Sequence, residues 1–279
     1  MKRFALTVTA LVLLAAPAFA GTWNQSLAVA QKKAKQSKQL IFVDLFADWC
    51  TWCHRMEQEV FPSAAFQKQT DDMVLLRLNT EDGGEGTKLA QEYFVTQLPT
   101  FLVLTPDLNV AGVIHGFMPS KEFVQELDAT EGRYREFEKL AATESSLATD
   151  YAKRLDLARG FQERYQFSQA ESRFRKLSQE RGVPGDVRDT AWYELAVSQV
   201  VQGRLDEATK TLGAFSRISA KGDPVEKARL LQAQIDLQQG NATAALKELR
   251  TFKTMFPNSQ YLATVEFHIQ QIERSQVKK

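Results

Sequence analysis

The two cysteines of this 279-residue chain are the residues whose type and spacing point most directly to chemistry. They are Cys50 and Cys53, and the sequence holds no third cysteine. They follow an apolar run that predicts a buried strand, and they stand where a helix is expected to begin. Unpaired backbone N–H groups and the helix dipole favour a thiolate at that position. The spacing therefore predicts a redox pair in which Cys50 is the nucleophile and Cys53, one turn further along, resolves a mixed disulfide.

Other interpretations of the cysteine pair stay open on the residues alone. Zinc needs four ligands, and the remaining candidates are three scattered histidines, so we expect no metal: His54, His115 and His268. Two inert thiols also fit the spacing. A purely structural disulfide is the weaker interpretation, because closing so short a loop constrains little of the chain.

Composition and charge describe an ordinary globular protein. Hydrophobic residues make up 44% and charged residues 25% of the chain, which excludes disordered and collagen-like classes. The 35 basic residues nearly balance the 34 acidic ones, for a net charge of +1. Without Lys2 and Arg3 the balance falls to about −1. No net field attracts a polyanion, so we expect no nucleic-acid partner.

The first twenty residues read as a secretory signal peptide. A short basic start precedes an apolar run at residues 4–16, and an Ala-x-Ala site ends at Ala20. The run is shorter than the roughly 20 residues of a spanning helix, although an uncleaved anchor remains the alternative. We expect cleavage near Ala20 and a soluble mature chain in the periplasm or another exported compartment, where disulfides persist.

From residue 21 to about 130 the pattern alternates helices with strands. Trp23, Leu27, Ala30 and Ala34 fall on one face of a first helix. The pattern then predicts a buried strand at 40–46, a helix from Cys50, a strand at 73–78, a helix at 87–94, a hairpin of 101–104 and 110–114, and a last helix that begins at 119–120. This order predicts an α/β domain, with a mixed sheet covered by helices on both faces.

Beyond residue 131 the pattern is helical throughout and contains a repeat. Alanines recur at spacings of 38 and 37 residues, and a second alanine follows each of them by 12: Ala158, Ala196 and Ala233, then Ala170, Ala208 and Ala245. A turn glycine, Gly203 or Gly240, precedes the second helix of two copies, and Tyr165 stands at that position in the first. The pattern resembles tetratricopeptide-type repeats, although the copies exceed the usual length of about 34 residues. A bundle without repeats remains the alternative. Stacked helix pairs leave a concave face that would hold a peptide or protein.

Residues 40–128 resemble the thioredoxin fold. The run 43–50 is similar to the strand that leads into the active site of that family, and Gln97-Leu98-Pro99-Thr100 matches its cis-proline loop. The run 77–79 resembles its Lys-Leu-Asn strand, and Gly116 aligns with the glycine before its last helix. Residues 49–66 look closer to the exported branch that includes the C-terminal domain of periplasmic membrane electron transporters. Thr51-Trp52 replaces the Gly-Pro of cytosolic thioredoxins, and His54 stands where lysine is common.

The resemblance implies roles for further residues. Asp44 occupies the position of the buried acid of the family, six residues before Cys50, where it would relay the proton of Cys53. Pro99, if cis, would turn the backbone of Leu98 and Thr100 toward the sulfur so that a client strand pairs there. Trp49 and Trp52 would shape the docking surface. The alternatives are that Asp44 is a buried carboxylate satisfied by backbone hydrogen bonds, that Pro99 is an ordinary trans proline, and that Trp49 belongs to the core. No cofactor is expected.

These observations predict three segments: a signal peptide at 1–20, a thioredoxin-like domain at 21–130 and a tetratricopeptide-like helical domain at 131–279. The function they imply is that of an exported thiol-disulfide oxidoreductase, a reductase or relay for protein disulfides. With no spare cysteine it would need a redox partner, for which a membrane electron transporter is the expected class. The alternative is an assembly scaffold in which the repeat domain does the work and the thioredoxin-like domain docks.

Overall fold

The computed structural model describes residues 22–277, so the signal peptide predicted at 1–20 lies outside the described residues. The chain divides into two compact units. The first comprises the chain up to Leu108 together with Ile114–Ala129, and the second comprises Asn109–Val113 and the chain from Thr130 onward. Among residues 22–277, no helix combines the length and the apolar character that crossing a membrane requires.

Helices and strands alternate through the first half of the described chain. In order they are α1 (Leu27–Ser37), β1 (Ile41–Phe46), α2 (Thr51–Arg55), a π-helical turn (Met56–Val60), α3 (Ala64–Gln69), β2 (Val74–Asn79), α4 (Glu85–Glu92), β3 (Thr100–Leu104), β4 (Val110–His115) and α5 (Ser120–Ala142). The sheet order is β2-β1-β3-β4, with β1 parallel to β2 and antiparallel to β3. This mixed sheet confirms the predicted fold class.

Aromatic packing against β1 corrects the predicted start of the first helix. Helix α1 begins at Leu27, and Trp23 precedes it. The Trp23 ring lies 5.0 Å from Phe61 and 6.1 Å from Phe42, between ring centroids. The next residue, Asn24, pairs with β2, since its N–H donates to the Leu75 carbonyl at 2.9 Å. The apolar spacing at Trp23 therefore reflects burial in the core of the domain, not a helical face.

The second half of the described chain is helical, as predicted. After a short 3₁₀ turn (Glu144–Ser146) come α6 (Tyr151–Glu163), α7 (Phe167–Gln179), α8 (Gly185–Val201), α9 (Leu205–Phe215), α10 (Asp223–Gln238), α11 (Ala242–Met255) and α12 (Leu262–Val277). Helix α5 runs without interruption through residues 130 and 131, where the sequence predicted a domain boundary.

The helices of the second unit carry the sequence repeat at equivalent places. All six repeat alanines are buried, at most 2% exposed, and they alternate between the first and second helices of the pairs α6/α7, α8/α9 and α10/α11. The turn inside each pair holds one residue with positive φ: 57° at Tyr165, 73° at Gly203 and 76° at Gly240. Small residues let the paired helices approach closely. The tetratricopeptide type of the repeat stays a prediction.

Candidate redox site

Cys50 and Cys53 are joined by a disulfide at the turn from β1 into α2. Cys50 is the N-cap of α2, and its sulfur accepts a hydrogen bond from the Cys53 N–H at 3.1 Å. That N–H is one of the donors a helix start leaves without a backbone partner, so the turn itself orients a donor toward the first sulfur. Cys53 is fully buried, whereas Cys50 is 3% exposed. A partner thiol can therefore reach this pair only through Cys50.

Two exposed indoles flank the disulfide. Trp49 is 67% exposed, so its interpretation as a core residue is wrong. Its Nε1–H donates to Glu81 Oε1 at 2.9 Å, which fixes the orientation of the ring. Trp52 is 50% exposed. Large apolar groups left in water next to a reactive sulfur are typical of a binding surface.

Trp52 belongs to a small stack on one side of the pair. Its ring centroid lies 5.3 Å from that of Phe117, and the Arg55 guanidinium lies 4.4 Å from the Phe117 ring. Glu59 accepts two hydrogen bonds from Arg55, at 2.8 and 2.9 Å, which neutralises the cation. The result is an aromatic surface in which the charge of Arg55 is balanced by Glu59. Phe117 was not predicted as a site residue, and its only sequence signal is its place directly after Gly116.

The loop before β3 faces the disulfide from another direction. The Leu98–Pro99 peptide bond is cis, and Leu98 packs against the cluster of Ala47, Cys50 and Cys53. Thr100 is fully buried, and its hydroxyl donates to the Gln97 carbonyl at 2.8 Å. The same oxygen lies 3.1 Å from Nδ1 of His115. The side chain of Thr100 is therefore engaged within the domain.

Asp44 lies in the middle of β1, opposite Arg77 of β2 in the parallel register. It is fully buried, and its Oδ2 lies 3.1 Å from Arg77 Nε. Neither carboxylate oxygen has a hydrogen-bond partner among the described residues, so the alternative of a carboxylate satisfied by backbone bonds is wrong. Burial raises the pKa of Asp44 to about 7, against the lowering effect of Arg77 and with a smaller raising effect of Glu57. Asp44 can therefore take up or release a proton near neutral pH.

Glu57 links the buried carboxyl to the surface. Its Oε1 lies 2.7 Å from one terminal nitrogen of Arg77, and its Oε2 accepts from the other at 3.1 Å. Hydrogen bonds from Arg77 lower the pKa of Glu57, so it stays ionised. The Arg77 guanidinium also lies 4.2 Å from the ring of Phe46. Glu57 was not predicted as a site residue, because only the folded domain brings it to Arg77 of β2.

Comparison with known proteins identifies the first unit. Residues 27–131 match the family described as a thioredoxin-like domain. The thiol:disulfide interchange protein DsbD of Yersinia enterocolitica is 36% identical over 103 residues, which cover 36% of this chain and 17% of that protein. DsbD of Actinobacillus pleuropneumoniae is 33% identical over 110 residues, covering 37% of this chain and 18% of that protein.

Among solved structures, the oxidised C-terminal domain of Neisseria meningitidis DsbD is similar, at 19% identity and a TM-score of 0.34. That match covers 37% of this chain and 90% of the solved domain. The chain thus spans less than a fifth of the length of the curated relatives named above. Residues 27–131, which contain Cys50 and Cys53, are a thioredoxin-like domain.

Proposed function

We propose that the protein is a thiol-disulfide oxidoreductase that acts on protein disulfides as a reductase or redox relay. The observation that carries the proposal is the Cys50–Cys53 disulfide, in which Cys53 is fully buried and Cys50 is slightly exposed, with an exposed tryptophan next to each cysteine in the sequence. A client can reach such a bond only at Cys50, which suits an exchange in which the client bonds to Cys50 first and Cys53 then resolves the mixed disulfide. The names of the two DsbD relatives support the same chemistry for the matching domain.

The proposed reaction begins with the reduced pair. The Cys50 thiolate attacks one sulfur of a client disulfide, forms a Cys50–client bond and releases the other client sulfur as a thiolate. Cys53 then gives up its proton and attacks Cys50, which releases the second client sulfur. The client gains two electrons and becomes a dithiol, and the Cys50–Cys53 disulfide found in the structure is the product. A dithiol donor must then reduce this pair again.

Asp44 is the proposed proton acceptor for Cys53. Its carboxyl is fully buried in the strand that leads into the disulfide, and its pKa is raised to about 7 by burial. A base is most effective when its pKa lies near the operating pH. As Cys53 becomes a nucleophile, Asp44 takes its proton, and the proton then passes to the leaving client thiolate or to solvent.

Docking of the client is assigned to the surface around Cys50. Trp49 and Trp52, which adjoin the two cysteines in the sequence, provide exposed aromatic area. Leu98 packs against the disulfide, so a client strand that reaches Cys50 would pass the backbone of Leu98 and Thr100. Pro99 is the cis residue between them.

The remaining expectations form part of the same proposal. The helical unit recruits a peptide or protein partner, and a membrane electron transporter supplies the reducing dithiol. The character of residues 1–20 supports export to the periplasm with cleavage near Ala20. The domain limits that we propose are 21–130 and 131–279.

A covalent trap tests the function. The full chain carrying Cys53→Ser is expressed in its native compartment, because without Cys53 the mixed disulfide at Cys50 cannot resolve. Proteins bound to it are separated without reductant and identified by mass spectrometry. The matched control carries Cys50→Ala in addition, and it leaves the rest of the domain unchanged.

Two outcomes separate the candidate functions. Discrete adducts that disappear in the Cys50→Ala control support a disulfide exchanger and identify its clients. Absence of adducts, with partners still captured by the helical unit without any disulfide, would refute the proposal in favour of an assembly scaffold.

A further inference from the structure

A cavity of about 730 Å³ opens beside the redox pair, on the side of Asp48 and His54. Its apolar part includes Trp23, Phe46 and Phe61. Asp48 precedes Cys50 by two residues, so the Cα atoms of these two residues lie at most about 7 Å apart. Side chains of a client bonded to Cys50 can therefore reach this cavity.

The charge of the cavity is already compensated at one point. Arg77 lines it, but both of its terminal nitrogens contact Glu57, at 2.7 and 3.1 Å. Its Nε faces Asp44 at 3.1 Å. The ionised carboxylate of Glu57 therefore balances the charge of Arg77 and leaves little positive charge for an incoming anion.

Two further carboxylates line the same cavity. They belong to Asp48 and Asp82, and within residues 22–277 neither forms a salt bridge. Asp82 Oδ1 accepts a hydrogen bond from the Gly84 N–H at 2.7 Å, and the carbonyl of Asp48 lies 2.8 Å from His54 Nε2. The Gly84 contact orients the carboxylate of Asp82, whereas the carboxylate of Asp48 interacts with Arg77 only at longer range. Since no lysine and no second arginine line the cavity among the described residues, its rim is acidic.

From this we propose that the cavity is a specificity site for a basic side chain of the client, a lysine or arginine within about three residues of the client cysteine. The stem of such a side chain is apolar and packs on the aromatic floor, while its charged end reaches Asp48 and Asp82. The inference rests on the proposed function, because it adds a substrate preference to the exchange at Cys50. A client with an acidic residue at the same place would be disfavoured.

The test uses the full chain, reduced with a dithiol and then freed of it. Three fluorogenic disulfide peptides differ only in the residue two places after the reactive cysteine, which is Lys, Gln or Glu. The second-order rate constant of reduction is measured for each by stopped flow at about 20 mM and about 1 M salt. We expect the Lys peptide to react about fivefold faster than the Gln peptide at low salt, and the advantage to shrink at high salt.

The variant Asp48→Asn/Asp82→Asn is expected to bring the Lys-to-Gln ratio close to 1. Because the ratio is taken within one variant, a change in the intrinsic reactivity of Cys50 cancels. The control, Asp72→Asn/Asp128→Asn, removes the same charge from exposed positions outside the cavity and should keep the wild-type ratio.

The outcomes distinguish the two proposals. Reduction of the Gln peptide together with a Lys-to-Gln ratio near 1 in the wild type, or an unchanged ratio in the Asp48/Asp82 variant, would overturn the specificity site alone. Failure to reduce any of the three peptides would overturn the proposed function and this inference with it.

Discussion

Replacing Asp44 with asparagine should change how the stability of the thioredoxin-like domain depends on pH. Burial raises the pKa of Asp44 from 3.8 to about 7 in the folded domain, so the folded state binds this proton more tightly than the unfolded state. The stabilisation by the proton is fully present below about pH 4 and is lost as the pH rises through 7. A shift from 3.8 to about 7 corresponds to about 4 kcal/mol. The free energy of unfolding of the wild type, relative to Asp44→Asn, should therefore fall by about that amount between pH 4 and pH 8.

The assay is urea unfolding of the oxidised chain, followed by tryptophan fluorescence. Three of the four tryptophans, Trp23, Trp49 and Trp52, lie in the first unit, and Trp192 lies in the second. Both proteins therefore carry Trp192→Phe, so that the signal reports on the first unit. Asp72→Asn, at an exposed position, is the matched control. A difference between wild type and Asp44→Asn that stays flat from pH 4 to pH 8 would refute the view that Asp44 is held as a neutral acid.

Three further predictions concern the reaction, docking and the helical turns. Asp44→Asn should slow the resolution of the mixed disulfide at pH 7 by about 100-fold, because Cys53 loses its proton acceptor; rapid quench with acid measures this, and an unchanged rate would exclude the role. Trp52→Ala should raise KM for a protein client about fivefold without changing the reaction with a small disulfide, and an equal effect on both would contradict a docking role. Gly203→Ala and Gly240→Ala should each lower the free energy of unfolding of the second unit by about 1 kcal/mol, since φ is positive at both; Gly213→Ala, inside α9, is the comparison, and unchanged urea midpoints would contradict the argument.

The disulfide and its strand could be predicted because their signals are local. The buried run of β1 lies directly before Cys50, and a helix starts directly after it, so the position of the pair follows from adjacent residues. The order of helices and strands through β4 follows in the same way, except that the single helix predicted from Cys50 is divided into α2, the π-helical turn and α3. Such features depend on interactions between residues that are close in the sequence, and the periodicity of apolar residues reveals them.

The partners of the site could not be predicted, because they come together only in the folded domain. Glu57 meets Arg77 from a different element, 20 residues away in sequence. The apolar spacing at Trp23 is typical of a helix and predicted one there, but the residue lies before α1 and its ring packs against Phe61. Tyr165 takes a left-handed conformation, with φ of 57°, that its residue type does not favour. At Trp23 and Tyr165 the fold overrides a local conformational preference, and at Glu57 it supplies a partner that is distant in the sequence.

The short loop closed by Cys50 and Cys53 has a consequence for oxidative folding and for stability. A chain with these two cysteines admits one intramolecular pairing, so its oxidative folding has no wrong isomer to correct. Because the bond spans so few residues, opening it releases little conformational entropy to the unfolded chain. In the disulfide the Cys53 N–H donates to the sulfur of Cys50, and a helix start favours a thiolate at that position. If the pair works as proposed, opening and closing the bond would leave intact the interactions that keep the domain folded.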